Sequence, residues 1–147
     1  MHVRRATSPD EIAACLSIRR TVFIDEQSVP TELELDDLDH VCRHFLATPG
    51  KQSPAREAFG TARILFLDDG TAKAQRVAVL KSHRRGGVGA ALMFAIEGEA
   101  ARAGRNVLIL SSQISAVPFY ERLGYEPYGE LFVDAGIDHR MMRKTVL

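Results

Sequence analysis

Between Gln75 and Met93 the chain passes from an apolar run through a glycine-rich turn into an amphipathic pattern, and no other stretch restricts the fold so tightly. Arg76-Val77-Ala78-Val79-Leu80 is mostly apolar and rich in valine, the pattern of a strand buried on both faces. Val88, Ala91, Leu92, Ala95, Ile96 and Ala100 then recur at helical spacing, with Glu97 and Glu99 facing away. Between them lies Lys81-Ser82-His83-Arg84-Arg85-Gly86-Gly87-Val88-Gly89. Its glycines let the backbone approach a ligand and take positive φ, and the first N–H groups of a helix point outward without an internal partner. The helix dipole and two arginines add positive potential, so the junction is built to hold a phosphate.

Two common phosphate motifs are excluded. A nucleotide P-loop needs Lys and Ser or Thr at its close, where this chain has Ala90 and Ala91. A dinucleotide fingerprint needs a third glycine where Leu92 stands, and it belongs at a first βα turn, which here the first sixty residues would have to precede.

Arg84-Arg85-Gly86-Gly87-Val88-Gly89 instead resembles the R/Q-x-x-G-x-G/A pyrophosphate loop of the GNAT N-acetyltransferases. Arg76 to Leu80 resembles the acyl-CoA strand of that family, and Ala116-Val117-Pro118-Phe119-Tyr120-Glu121-Arg122-Leu123-Gly124-Tyr125 resembles its A-x-x-FY-x-x-LG-[FY] segment. Val22 to Gln27 and Leu33 to Asp39 are further similar to a bacterial branch near the glucosamine-phosphate acetyltransferases. The resemblance implies an α/β fold over residues 1–147 as a single domain. A mixed, mostly antiparallel sheet would splay between two parallel strands, flanked by about four helices. It implies acetyl-CoA as cosubstrate, a primary amine on a small molecule as acceptor, direct attack in a ternary complex, and a homodimer as an expected assembly.

Carried onto this chain, the resemblance sets the pantetheine arm beside Val77, Ala78 and Val79, and the pyrophosphate at Arg84, Arg85, Gly86, Gly87, Val88, Gly89 and Ala90. Elementary chemistry agrees. A strand splayed from its neighbour leaves backbone groups that an amide-rich arm can pair with, and one N–H there could hold the thioester oxygen as charge grows on it. Tyr120 matches the family's general acid, and a phenol of pKa about 10 stays protonated at neutral pH; Phe119 beside it packs on the cofactor or the core. No base is equally clear. Glu34 and His44 are candidates, and Glu34, Asp39, Gln113 and His139 are candidates to bind or orient the acceptor, with structural roles open for each.

The formal net charge is zero, which suggests neither nucleic acid nor an anionic membrane as partner. Locally the balance is uneven: Asp25 to Asp39 holds seven acidic residues and no basic one. That stretch reads either as a solvated acidic face or as a lip attracting a cationic amine. A metal site at Glu34, Asp36, Asp37 and Asp39 lacks the glycine and distant glutamate of a calcium loop, so no metal is expected. Cys15 and Cys42 read as buried reduced thiols, and with no signal-like or membrane-length apolar run a cytoplasmic location is expected.

In chain order, His2 to Ala6 reads as a strand and Ser8-Pro9-Asp10-Glu11 as a capping-box start to a helix running to about Ile24, with Arg19 and Arg20 as capping or surface charges. A short helix is expected from Pro30 to Leu35, strands over about 41–48, 58–67 and 72–80, a buried strand at 107–110 parallel to the last of these, a helix to Leu123, and two final strands. The competing function is a binding or sensing module that keeps the acyl-CoA loop without effective turnover; Tyr120 speaks against it.

Overall fold

The computed structural model describes residues 1–147. Strand β1 (His2–Ala6) leads to helix α1 (Pro9–Arg19), whose start is a reciprocal cap: the Glu11 N–H donates to Ser8 Oγ at 3.2 Å, and the Ser8 N–H donates to Glu11 Oε1 at 3.1 Å. The expected helix to Ile24 is not α-helical throughout. From Arg20 to Glu26 it widens into a π-helix, which keeps Val22 in the core. A single turn, α2 (Thr31–Glu34), precedes β2 (Arg43–Thr48), β3 (Gly60–Phe66) and β4 (Ala72–Val79). Helix α3 (Val88–Arg102), β5 (Val107–Gln113), α4 (Val117–Arg122), β6 (Glu126–Asp134) and β7 (Ile137–Thr145) complete the chain.

The strands form one sheet in the order β1-β2-β3-β4-β5-β7-β6. Only β4 and β5 run parallel, joined by the crossover through α3. This is the mixed sheet with two parallel central strands and four α-helices that the sequence implied. The larger core lies between the sheet and α3, where Leu92, Met93 and Ile96 meet Ile64, Leu108 and Met142. A smaller one under α1 joins Cys15, Ile18 and Val22 to Leu46 and Ala78. No helix is long and apolar enough to cross a membrane.

Three expectations are corrected by packing. Strand β4 is not buried on both faces: Ala72, Ala74 and Ala78 are, while Val77 and Val79 are half-exposed because a cleft runs beside them. Glu99 does not face away but is buried, its carboxylate receiving Arg43 at 2.7 Å. Cys15 is buried and free, whereas Cys42 is only half-buried, just ahead of β2.

Two irregularities shape the centre of the sheet. Pairing between β4 and β5 is confined to Ala72–Ala74 against Leu108–Leu110, so beyond Ala74 the strands part. On its other edge β4 carries a bulge. Thr61 pairs with Ala78 and Arg63 with Gln75, which sets Arg76 and Val77 opposite the single residue Ala62, with Arg76 at φ +56°. The extra residue reverses the alternation: Ala72 and Ala74 face the α3 core, but after the bulge Ala78 faces α1 while Val77 and Val79 pack toward α3.

Candidate active site

A cleft of about 740 Å³ opens where β4 and β5 separate. One wall is the unpaired side of β4 from Gln75 to Val79; the opposite wall is Ser111 to Gln113 with α4. Backbone amides left free by a parted strand are donors and acceptors for an extended amide-bearing ligand.

At one end the cleft meets the glycine loop. Arg85 and Gly87 adopt positive φ of 69° and 81°, and Gly87 caps α3 without a side chain. The first backbone bond into the helix runs from the Ala91 N–H to Gly87 O, so the amides of Val88, Gly89 and Ala90 stand ahead of it. Gly89 has a packing reason as well. A Cβ there would lie 3.1 Å from Phe119 Cζ, a tight contact that would push the ring back from the helix start. The two arginines differ. Arg85 is exposed, whereas Arg84 donates from Nε to Val79 O at 2.9 Å and from Nη2 to Glu26 at 2.8 Å. His83 is exposed, as expected of a loop residue, yet stacks flat on Phe59 with centroids 4.2 Å apart.

Tyr120 is carried on α4, where Pro118 sits in the first turn, and its ring is wedged edge-on against Phe119 and Tyr125 at 4.9 and 5.8 Å. Burial pushes its phenol up to about 12, so at neutral pH it is a proton-bearing donor. Tyr120 and Phe119 both line the cleft with Val77 and Val79.

The acidic stretch behaves unlike either expectation. Arg19 and Arg63 are fully buried, and three arginines interlock with three carboxylates. Arg19 reaches Glu34 at 2.7 Å and Asp39 at 2.7 Å; Arg63 reaches Asp39 at 2.7 Å and Asp36 at 2.6 Å; Arg76, placed by the bulge, reaches Asp36 at 3.1 Å and Glu34 at 3.3 Å. Arg19 is therefore neither a cap nor a surface charge. Burial by itself would raise the Asp36 carboxyl, but the Arg63 hydrogen bonds and charge overturn this and hold it at about 2. With Glu26 engaged by Arg84, four of the seven acidic residues are neutralised internally, and the lip is mostly spent on the fold.

The candidate base and acceptor residues separate accordingly. Glu34 touches the cleft but is 3% exposed, and its carboxylate is already engaged by two guanidiniums. Asp39 lies in the arginine cluster and off the cleft wall. His44 is also off the wall, buried in β2, with Nε2–H donating to the Asp39 carbonyl at 2.8 Å and Nδ1 unpartnered. Gln113 and His139 do reach the cleft, facing each other across β5 and β7.

Residues 52–146 match the family model described as an acetyltransferase (GNAT) domain. The chain belongs to the GNAT acetyltransferase family. Among relatives, the uncharacterized N-acetyltransferase YjcF of Bacillus subtilis is 39% identical over 140 residues, spanning 95% of this chain and 96% of its own. The GNAT fold is shared with the crystal structure of an acyl-CoA N-acyltransferase from Pseudomonas aeruginosa, with a TM-score of 0.82 and 26% identity over 98% of each chain. An aminoglycoside 6'-N-acetyltransferase crystallised with coenzyme A superimposes with a TM-score of 0.77 over 100% of this chain and 98% of its own; at 15% identity this is a likeness of fold alone.

Several cleft residues of this GNAT domain carry no sequence signal. Gln27 lies just past the π-helix and accepts from Gln113 Nε2 at 2.8 Å, closing one side of the cleft. Lys73 lines the wall beside the point where β4 and β5 part. Burial lowers its ammonium pKa, and the Asp134 charge offsets this only in part. Phe132, Ile137 and Met141 complete an apolar end that is formed only when β7 pairs beside β5 and β6 beside β7.

Proposed function

We propose that this protein transfers an acetyl group from acetyl-CoA to a primary amine of a small molecule by direct attack within a ternary complex. The observation that carries the reading is the junction of the unpaired β4 edge with the glycine loop, beside a phenol that remains protonated. Pantetheine amides fit the edge from Gln75 to Val79, and the pyrophosphate fits the amides ahead of Ala91 with Arg85 close by in the loop. A backbone N–H near Val77 to Val79 polarises the thioester carbonyl, and Tyr120 donates toward the departing sulfur.

The opposite end of the cleft supports an acceptor whose amine sits on a partly apolar body, because Phe23, Val29, Leu33, Phe132, Ile137 and Met141 line it. The glucosamine-phosphate branch is the finer part of the resemblance, and its two segments supply mainly the arginine cluster and the Glu26 contact rather than free acceptor groups. That argues for a shared scaffold and leaves the sugar phosphate as one member of the acceptor panel.

Calorimetric titration with acetyl-CoA on wild type and on Gly87→Glu, followed by acetyl-CoA consumption with a panel of primary amines, tests the proposal. Binding that Gly87→Glu abolishes, with turnover for at least one amine, supports it. Binding without any turnover supports instead the sensing module, and well-folded wild type that binds no acetyl-CoA sinks both.

A further inference from the structure

His139 is 8% exposed and its Nδ1 lies 2.7 Å from the carbonyl oxygen of Ile137. A carbonyl only accepts, so Nδ1 carries the proton and donates, and in the neutral ring Nε2 is left with the lone pair. The ring is held in place by Phe132, which stacks on it with centroids 5.7 Å apart and planes 25° from parallel. His139 lies on the cleft wall, and Nε2 has no hydrogen-bond partner in the protein. His44 shows the contrast: its unpartnered nitrogen is sealed inside the sheet, away from the cleft.

The register of the sheet sets the direction from which His139 works. Met142 pairs with Leu110, and both belong to the core under α3 that also contains Tyr120. His139 pairs with Gln113, three residues from Leu110, and so falls on the opposite face of the sheet. Gln113 confirms the parity by bonding Gln27, next to the π-helix on the α1 side. Tyr120 and His139 thus address the gap between β4 and β5 from opposite sides.

We infer that His139 is the general base of the transfer, taking the proton from the acceptor nitrogen through Nε2. This rests on the transferase reading above. The amine enters from the α1 face, its nitrogen forms the new bond to the acetyl carbon, and its proton passes to His139. The carbon–sulfur bond breaks with its electron pair moving to sulfur, which takes a proton from Tyr120 on the other face. Tyr120 is reprotonated and the imidazolium deprotonated through solvent, so the net change is thioester and amine to amide and thiol. The charged or titratable groups sharing the cleft with His139 are Asp134 on β6, Lys73 and Arg76 on β4, Glu34 on α2, His83, Arg84 and Arg85 in the glycine loop, and Tyr120 and Arg122 on α4. Of these, Glu34 and Arg76 are committed to the arginine cluster.

The test measures kcat and kcat/KM against pH for wild type and His139→Asn, with acetyl-CoA and the best amine of the panel. The asparagine amide nitrogen can keep the donation to Ile137 while removing Nε2. Calorimetry with acetyl-CoA confirms that the variant is folded and loaded. The expected result is an acidic limb in wild type that disappears in His139→Asn, a fall in kcat of about a hundredfold or more, and unchanged acetyl-CoA affinity. Partial rescue of His139→Ala by added imidazole is expected as well, and a purely structural role would give neither rescue nor a lost limb. Nitrogen-15 NMR of the imidazole reads the tautomer without turnover; a proton on Nε2 in the neutral ring overturns the inference. An active wild type whose pH limb persists in His139→Asn overturns it too, leaving the transferase reading intact. Wild type that binds acetyl-CoA but acetylates nothing overturns both.

Discussion

Arg84 Nη2 holds the Glu26 carboxylate at 2.8 Å, tying the glycine loop to the π-helix. Both side chains are partly exposed, so the pair is weak and open to competition from a pyrophosphate. Glu26→Gln is expected to release the guanidinium and lower the Kd for acetyl-CoA several-fold, and Arg84→Ala to raise it. Titration calorimetry at low and high salt reads both; equal affinities in all three proteins would show that Arg84 does not meet the phosphates.

Tyr120→Phe should lower kcat by about 10²–10⁴-fold while leaving acetyl-CoA affinity and thermal stability close to wild type. The expectation of preserved stability follows because burial alone shifts this phenol, with no hydrogen bond for the variant to lose. Since the folded value lies at about 12, ionisation of Tyr120 should produce no loss of activity below a pH of about 10. Activity in the variant within threefold of wild type would remove the acid role.

Asp39 accepts from two fully buried arginines, so Asp39→Leu leaves both guanidiniums short of a partner. Removing one member of a buried ion cluster costs about 3–5 kcal/mol. Urea denaturation should record a loss of that order. Glu32→Gln on the exposed side of the same stretch should change stability by no more than about 0.5 kcal/mol.

Acid should unfold the protein through a small set of carboxylates. Glu11 is held at about 2, first by the Arg4 side chain and then by the cap at Ser8, and Asp36 is held at about 2 against the effect of burial. Each has a folded pKa below its unfolded value near 4, so its contribution is present above that pH and is lost as pH falls toward 2. Melting temperature measured from pH 6 to pH 2 should drop mainly below pH 4. In Glu11→Gln the drop should be shallower and start from a lower plateau.

The parts of the fold legible in the sequence are those written within a few residues. Ser8 and Glu11 cap each other across one turn, and Gly87 meets its positive φ at the start of its own helix. The illegible parts depend on partners far along the chain. Arg19 looks like a helix-end charge until Glu34 and Asp39 fold over it, and Glu99 looks solvent-facing until Arg43 arrives from β2. Glu34 and His44 had the right chemistry for proton transfer, but Arg19 and Arg76 occupy the one and the sheet interior encloses the other. His139 was legible in the sequence as a candidate to bind or orient an acceptor, not as a base. Its tautomer and its side of the sheet come from Ile137 O and from the strand register, neither of which has a sequence signature.

The bulge at Arg76 makes β4 a strand in two phases. Its first half presents alanines to α3, and its second half, one step out of phase, presents Val77 and Val79 to that same side. A deletion of one residue here would keep composition and length nearly intact yet turn the distal half over, sending the valines toward α1 and the small Ala78 toward α3. Relatives that gained or lost a residue at this one place would therefore differ in cleft chemistry far more than their percentage identity conveys.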